Sequence, residues 1–476
     1  MEHYDRRELL GRGGRLAAAA AVAPATLRRG PTPLQALSRS LQGDLVLPGQ
    51  AAYAQLRLPY NTRFDGIHPR AVALCETAAD VEKTIAWARR HGVPFAARSG
   101  GHSYGGYSTT TGMVVDVSRM HGVSASGGRA VVGAGAQLID VYNALWQHGV
   151  TIPGGSCPTV GIAGLALGGG IGFAGRLHGL TCDNVLGLTL VPARGDPLVC
   201  NSSAHSDLYW ACRGGGGGNF AVVTSFTLRT HPVSNVAWFS VRWPWSDAAA
   251  ALGAWQDWAP HAPDELFSVF SLSAGSVSSG GQFFGAQADL QRLLQPLASA
   301  GAPLRVSVTS GTYMDAVMHW AGCGGLAFPA CHLRRDGGTL PRSGFAAKSD
   351  YVSRPFSPAA IATALRWIAM GGGSILFDSS GGAINRVAPG ATAFVHRGDL
   401  FSCQYLTYSG NLGWLRGFHA AMRPYVSGFA YQNYIDPELA DWQHAYYGSN
   451  LPRLQAVKRR YDPANVFRFR QSIRPR

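Results

Sequence analysis

Three glycine-bounded stretches carry residue types that could do chemistry. Gly101-His102-Ser103-Tyr104-Gly105 fits the pattern G-x-S-x-G, in which a strand-to-helix turn lifts a serine nucleophile toward a carbonyl. Such an elbow must open directly into a helix. The residues that follow, Gly105-Gly106-Tyr107-Ser108-Thr109-Thr110-Thr111-Gly112, are poor helix formers, so acyl transfer by Ser103 stands only as a rival reading. Gly170-Ile171-Gly172-Phe173-Ala174-Gly175 fits the dinucleotide fingerprint G-x-G-x-x-G. That fingerprint belongs between a buried strand and a helix. Here Gly161-Ile162-Ala163-Gly164 precedes it and Arg176-Leu177-His178-Gly179 leaves no room for a helix behind it. The run Gly214-Gly215-Gly216-Gly217-Gly218 lacks the lysine and hydroxyl residue of a P-loop. Glycine clusters at 100–106, 154–155, 161–175 and 214–218 together suit loops converging on one extended anion, since backbone N–H groups can cradle a pyrophosphate without charged side chains.

These loops need elements to hold them. Thr77 and Asp80 offer a capping box for a helix whose Val81, Ile85 and Ala88 share a face, ending at Gly92. Strands are expected at 93–98, 113–117, 185–191 and 220–228, and a helix at 136–148. After His231-Pro232 the texture changes. Strands are expected at 238–241, 266–272, 282–287, 374–377 and 400–405, and helices at 247–258, 289–297, 358–370 and 414–422. Without dense glycine clusters between them, these elements suggest a separate antiparallel sheet covered by helices on one face. The fold class is α+β.

Composition narrows the function. At 476 residues the chain suits two or three domains, and with 46% hydrophobic and only 14% charged residues it can bury a large core. The net charge of +14 is spread along the chain, with its densest run at Lys458-Arg459-Arg460 on a C-terminal helix. This reads as a solvated basic surface and not as a nucleic-acid interface. The eight cysteines lack C-x-x-C spacing, which argues against a zinc site and a disulfide scaffold. One bridge, Cys323 to Cys331, can form outside the cytoplasm. At the N-terminus Arg6-Arg7 precedes an alanine-rich run at 16–23 and Pro24-Ala25, which resembles a twin-arginine export signal and implies a secreted protein. No stretch has the length of a stable membrane span.

Arg98-Ser99-Gly100-Gly101-His102-Ser103-Tyr104 resembles the first FAD loop of the berberine-bridge-enzyme-like oxidases, which share the vanillyl-alcohol-oxidase (PCMH-type) FAD-binding fold. Pro153-Gly154-Gly155-Ser156-Cys157-Pro158-Thr159-Val160-Gly161, continuing through Gly164 to Gly168-Gly169-Gly170, is similar to their second loop. Trp210 through Gly218-Asn219-Phe220 to Val223-Thr224 is similar to their third. Tyr431-Gln432-Asn433-Tyr434-Ile435-Asp436 and Tyr461-Asp462-Pro463-Ala464-Asn465-Val466-Phe467 resemble their C-terminal signature, with Asn433 and Asn465 at cofactor-contacting positions.

The paired arginines give a leader at 1–45, and the resemblance implies a PCMH-type FAD-binding domain at 50–235, an α+β substrate domain at 236–417 and a returning C-terminal segment at 418–476. It implies FAD bonded at its 8α carbon to His102 and at C6 to Cys157; imidazole and thiolate are the side chains able to attack an electron-poor ring at neutral pH. Two such bonds raise the flavin potential and leave the substrate side open. It further implies hydride transfer from an alcohol carbon of a sugar or natural product to flavin N5, with O2 reduced to H2O2. Tyr431 is the expected base, Tyr434 its reserve, and Gln404 a substrate contact. On a strand, Tyr431 and Asn433 would share one face and Tyr434 the other. A tyrosine near its usual pKa of about 10 needs stabilisation to act as base, and Ser402 lacks the charge that some relatives carry at its position. Val160 matches a site where a small residue accompanies oxygen access, and Ile171 one where an aromatic touches substrate in relatives. The open alternatives are a dehydrogenase using another acceptor, a non-catalytic FAD module, and the Ser103 hydrolase.

Overall fold

The computed structural model describes residues 32–476; the export-signal reading at 6–25 lies outside the described residues. The helix expected after Thr77 spans Ala78–Arg90. Thr77 Oγ1 accepts from Asp80 N (3.2 Å), Asp80 Oδ2 accepts from Thr77 N (3.2 Å), and Val81, Ile85 and Ala88 are buried. That reciprocal bonding satisfies N–H groups that a helix start leaves open.

Strands β1 (Asp44–Val46), β2 (Ala71–Leu74), β3 (Phe95–Arg98) and β4 (Met113–Asp116) make a four-stranded sheet in the order β1-β2-β4-β3, parallel except for β1. The next strands in the chain are β5 (Val123–Ser126), β6 (Arg129–Gly133), β7 (Val150–Thr151), β8 (Val185–Pro192), β9 (Leu198–Asn201), β10 (Ala221–Arg229) and β11 (His231–Pro232). Five of them form an antiparallel sheet, β5-β6-β10-β8-β9, and β7 pairs with β11. One hydrophobic core joins these sheets to Ala430, Ile435, Tyr446, Leu454, Phe467 and Ile473, so the C-terminal segment returns to the first half of the chain.

The third sheet is antiparallel throughout. It uses β12 (Val236–Trp243), β13 (Leu266–Ser273), β14 (Ser276–Phe283), β15 (Arg305–Gly311), β16 (Ala346–Val352), β17 (Ser374–Ser379) and β18 (Phe401–Thr407), in the order β15-β12-β14-β13-β17-β18-β16. Helices Ala248–Trp258, Pro358–Ala369 and Leu412–Met422 pack on one face through Trp255, Ile361 and Phe418. Strand alternation sends Phe401, Cys403 and Tyr405 to that helical face and leaves Ser402, Gln404 and Leu406 on the other. The α+β class and the helix-covered antiparallel sheet agree with the sequence reading.

Several local expectations need correction. The strand placed at 282–287 is Ser276–Phe283; its serines and glycines lie in the ladder between two neighbours. The helix expected at 289–297 is two pieces, Gln287–Leu293 and Gln295–Ala298, split where Pro296 has no N–H to continue the ladder. Strands β15 and β16 and helix Tyr313–Trp320 were not anticipated. The segment at 170–175 follows helix Ile162–Leu167 and leads only into the single turn Gly175–His178, so it lacks the strand–turn–helix of a dinucleotide fingerprint. No helix among the described residues is long and apolar enough to cross a membrane.

Candidate active site

Arg98 closes β3 directly beside Asp116 on β4, and its Nε lies 2.5 Å from the Asp116 carboxylate in a buried pair. The same guanidinium reaches the carbonyls of Leu56 and Arg57. Its charge therefore fixes the start of the 98–104 loop. Ser99 Oγ donates to the Ala134 carbonyl at 2.6 Å. Gly100 and Gly161 touch backbone to backbone: a Cβ on either would stand 2.2–2.3 Å from the other's nitrogen. Gly101, at φ 78°, sits in the left-handed region and turns the chain into His102.

The two loops thus touch, and Tyr60 lies near both His102 and Cys157. His102 stacks on Tyr60 at 3.9 Å and its Nε2 lies 2.9 Å from Thr159 Oγ1. Burial, reinforced by the Arg335 charge, holds the imidazole pKa down at about 3, so it is neutral at working pH. Cys157 is the exposed member of six free cysteines; the other five are buried. Its surface is open, yet the protein packed around it pushes the thiol above its ordinary value. Tyr60, Tyr104, Tyr142, Tyr408 and Tyr434 all lie near enough to feel a thiolate there. Gly155 accepts from the Tyr142 hydroxyl at 2.9 Å, and half-buried Val160 follows, its carbonyl accepting from Leu138 N.

The remaining glycine loops meet on the C-terminal signature. Leu167 O accepts from Gly214 N (3.0 Å) and Gly216 N (2.8 Å). A Cβ at Gly168 would collide with Asn433 Oδ1 and Gln432 Oε1 at 1.9 and 2.2 Å. Gly169 and Gly170 have φ of 131° and 91°, and Gly164 has open space above it. Val223 is buried in β10 opposite Leu190. Asn465 adopts φ 50°, and its Oδ1, like Gln432 Oε1, is buried without a partner.

Residues 431–434 are not a strand. Tyr431 leads into a 3-10 turn, Gln432–Tyr434, and residues three apart on such a turn lie over one another. Both tyrosines therefore point inward with ring centroids 4.8 Å apart, where strand alternation had set them on opposite faces. Their hydroxyls differ in use. The Tyr431 oxygen accepts from Gly170 N (2.8 Å) and Asn433 Nδ2 (3.0 Å), bracing the glycine loop. Tyr434 stacks on Tyr104 at 5.2 Å, and Tyr104 OH accepts from Gln404 Nε2 at 2.7 Å.

Beside Tyr434 lies a carboxylate that the sequence did not disclose. Asp378 on β17 is the cross-strand partner of Ser402, whose Oγ donates to it at 3.3 Å. Burial raises the Asp378 pKa to about 6, partly offset by hydrogen bonds from Ser402 and Tyr434. The only hint was an acid ending the alternating segment Ile375-Leu376-Phe377-Asp378; its partner is distant in sequence and needs the register to be found. Ser103 Oγ accepts from Tyr107 N at 3.0 Å, no helix spans 101–112, and among the described residues no histidine bonds to it. The nucleophile elbow is not formed.

These features suit FAD. Neutral imidazole and accessible thiol stand on touching loops, three glycine loops have backbone where a Cβ would collide, and two buried amide oxygens lack partners. Comparison with known proteins agrees. Residues 69–201 match the family described as FAD binding domain, and residues 430–474 the family described as berberine and berberine like. An FAD-linked oxidoreductase of Bacillus subtilis is 35% identical over 91% of this chain and 97% of its own length. Chitooligosaccharide oxidase of Gibberella zeae is 31% identical over 88% and 89%. The structure of wild-type BBE-like 1 from Physcomitrella patens superposes with a TM-score of 0.87 at 34% identity, covering 94% of this chain and 100% of that one.

Proposed function

The chain belongs to the berberine-bridge-enzyme-like family of FAD-dependent oxidoreductases, and on that premise we propose that it is a saccharide oxidase whose flavin is bonded to both His102 and Cys157. The observation that carries this reading is the group Asp378, Tyr434, Tyr104 and Gln404, facing the loops of His102 and Cys157 from the open side of the third sheet. His102, Cys157 and the glycine loops would hold FAD, which when bound would supply two-electron oxidation of an alcohol carbon and reoxidation by O2 to H2O2.

The protein's part is the proton. Burial and the negative charge of Asp378 push the Tyr434 phenol well above its usual range, so a standing phenolate is not the base. Tyr434 instead accepts the substrate hydroxyl proton while passing its own to the Asp378 carboxylate. This relay replaces the charge that Ser402 lacks: the carboxylate comes from the strand beside it. Gln404 and Tyr104 orient the hydroxyl. Tyr431, with its oxygen already accepting two hydrogen bonds, holds the glycine loop and not the substrate. A valine at 160 leaves room for O2 beside the ring. The saccharide preference comes from the chitooligosaccharide oxidase relative.

Peroxide release should be measured against oligosaccharides, aromatic alcohols and glycosides. Turnover on saccharides supports the reading; turnover only with an artificial acceptor and no peroxide would make the chain a dehydrogenase. Acid precipitation of the holoprotein should leave the yellow colour in the pellet. Export is part of the proposal: Cys323 and Cys331 are joined in a disulfide, which oxidising compartments sustain. Changing Arg6 and Arg7 to lysine should hold the protein inside the cell, and unchanged export would refute a twin-arginine route.

A further inference from the structure

We propose that a cavity at the outer end of the third sheet, lined by Asp399 and Arg354, is a second, non-catalytic binding site for an uncharged saccharide. It lies outside the flavin site and does not depend on how the flavin is held.

Three stretches wall this cavity: Ser353 and Arg354 just beyond β16, residues 395–399 ahead of β18, and residues 424–429 behind helix Leu412–Met422. Main-chain hydrogen bonds fix them to the end of β16. Tyr351 N donates to Phe429 O (2.9 Å), Ser427 N to Tyr351 O (2.9 Å) and Leu400 N to Val352 O (2.7 Å). The space between them is about 550 Å³, inside the roughly 300–1,000 Å³ usual for ligand sites. One aromatic layer separates it from the active site. His396, on its wall, stacks on Tyr351 at 4.3 Å, and Tyr351 meets Tyr431 edge to face at 6.4 Å.

The polar groups around the cavity are unevenly used. Arg397 spends its guanidinium on Asp183 (2.7 and 2.9 Å), on the carbonyls of Phe394 and Ile384 and on Thr392 Oγ1, so its charge is already matched. Asp399 is only 6% exposed. Its main-chain carbonyl accepts from Asn385 Nδ2 (2.9 Å), but its carboxylate has no hydrogen bond or ion pair among the described residues. Burial without an offsetting partner raises that carboxyl to about 6, and such a group is costly until something donates to it. Arg354 stands exposed at the rim and meets no acid among the described residues. Both ring nitrogens of His396 lack a partner. Burial, partly offset by the Tyr446 main chain, holds its imidazole neutral with a pKa of about 3.

This set selects a ligand class. A carboxylate only accepts and a guanidinium only donates, whereas a hydroxyl does both at one oxygen. A small anion would face the Asp399 charge, and an ammonium would face Arg354. A pyranose has several hydroxyls and no charge. Its apolar C–H faces suit Tyr425 and Phe429, which line the same space.

The test follows amide hydrogen exchange of the full-length holoprotein in neutral buffer, with oxygen removed so that turnover does not consume the ligand. The probes are trehalose and methyl β-glucoside, with sodium acetate and ethylammonium chloride as charged controls. Expected is slower exchange at 395–400 and 425–430 that saturates with sugar, and a half-saturation raised several-fold in Arg354→Ala and in Asp399→Asn. Thermal midpoints check folding; should Asp399→Asn fail to fold, the exposed Arg354 decides. No slowing at these segments with either sugar overturns the site, as does slowing that both variants leave unchanged. Slowing confined to 402–406 and 432–434 assigns the sugar to the active site alone and also overturns it. Slowing at lower concentrations of acetate or ethylammonium than of sugar overturns the ligand class.

Discussion

Asp378 makes a buried phenol useful only while the carboxylate is ionised. Its pKa of about 6 exceeds the ordinary carboxylate value because burial disfavours charge. The relay thus switches on as pH rises through about 6, and kcat/KM should climb over that interval. Asp378→Asn should remove the climb and lower kcat/KM by a factor on the order of 10² to 10⁴, the usual range for losing a proton-transfer group. A profile that keeps its rise near pH 6 in the variant would assign the titration elsewhere. The two tyrosines should separate in the same experiment. Tyr434→Phe should cut kcat as severely as Asp378→Asn. Tyr431→Phe should leave the pH profile intact and cost about 1–3 kcal/mol of stability in urea, because Gly170 N and Asn433 Nδ2 lose a buried acceptor.

At the scale of elements, the glycine loops are rigid partners and not slack. Gly161 lies so close to Ser99 and Gly100 that a Cβ would stand 2.1 Å from Ser99 Oγ and 2.2 Å from Gly100 N. Gly161→Ala should separate the loops of His102 and Cys157, cost about 1–3 kcal/mol or more by overpacking, and lower flavin content in the purified protein. Gly253→Ala, on helix Ala248–Trp258 and over open space, should do neither. These loops were legible in the sequence because a glycine cluster reports backbone geometry directly. The capping box at Thr77 was legible for a similar reason, since both its partners lie within one turn. What depended on distant partners was not. Strand β16 reads Ala346-Ala347-Lys348-Ser349-Asp350-Tyr351-Val352; two buried charges hide its alternation, and their partners, Asp436, Arg423 and His419, come from other elements. Asp378 finds Ser402 only through the β17–β18 register. The segment at 431–434 alternates like a strand in sequence, yet the packing of Gln432 and Asn433 against Gly168 winds it into a turn.

For the molecule as a whole, the site exists only where the C-terminal segment ties the third sheet to the first half of the chain. Tyr431 N donates to Ser349 Oγ on β16, while Tyr431 OH accepts from Gly170 N on the glycine loop. Beside this bridge, Lys348 on β16 bonds Asp436 at 2.7 Å with both side chains 7% exposed, and Glu438 at 3.2 Å; Glu438 also meets Arg416. Arg416 first, then Lys348, depresses the Glu438 pKa to about 2. Its contribution is therefore present above the unfolded value near 4.3 and lost as pH falls toward 2. Because Glu438 is exposed, that part is worth at most about 1 kcal/mol. The buried pair matters more. Removing Lys348 alone leaves Asp436 desolvated and unpaired, which typically costs about 3–5 kcal/mol, whereas replacing both partners by apolar residues is often neutral. Lys348→Met should then lower the denaturant midpoint and release activity and flavin together, and Lys348→Met with Asp436→Leu should recover most of the loss. If the double variant is as weak as the single, the pair stabilises by its charge interaction and not by satisfying a buried carboxylate. If Lys348→Met is silent, this pair does not carry the tie between the two halves, which Asn61 and Arg342 also make through Phe345 and Asp65.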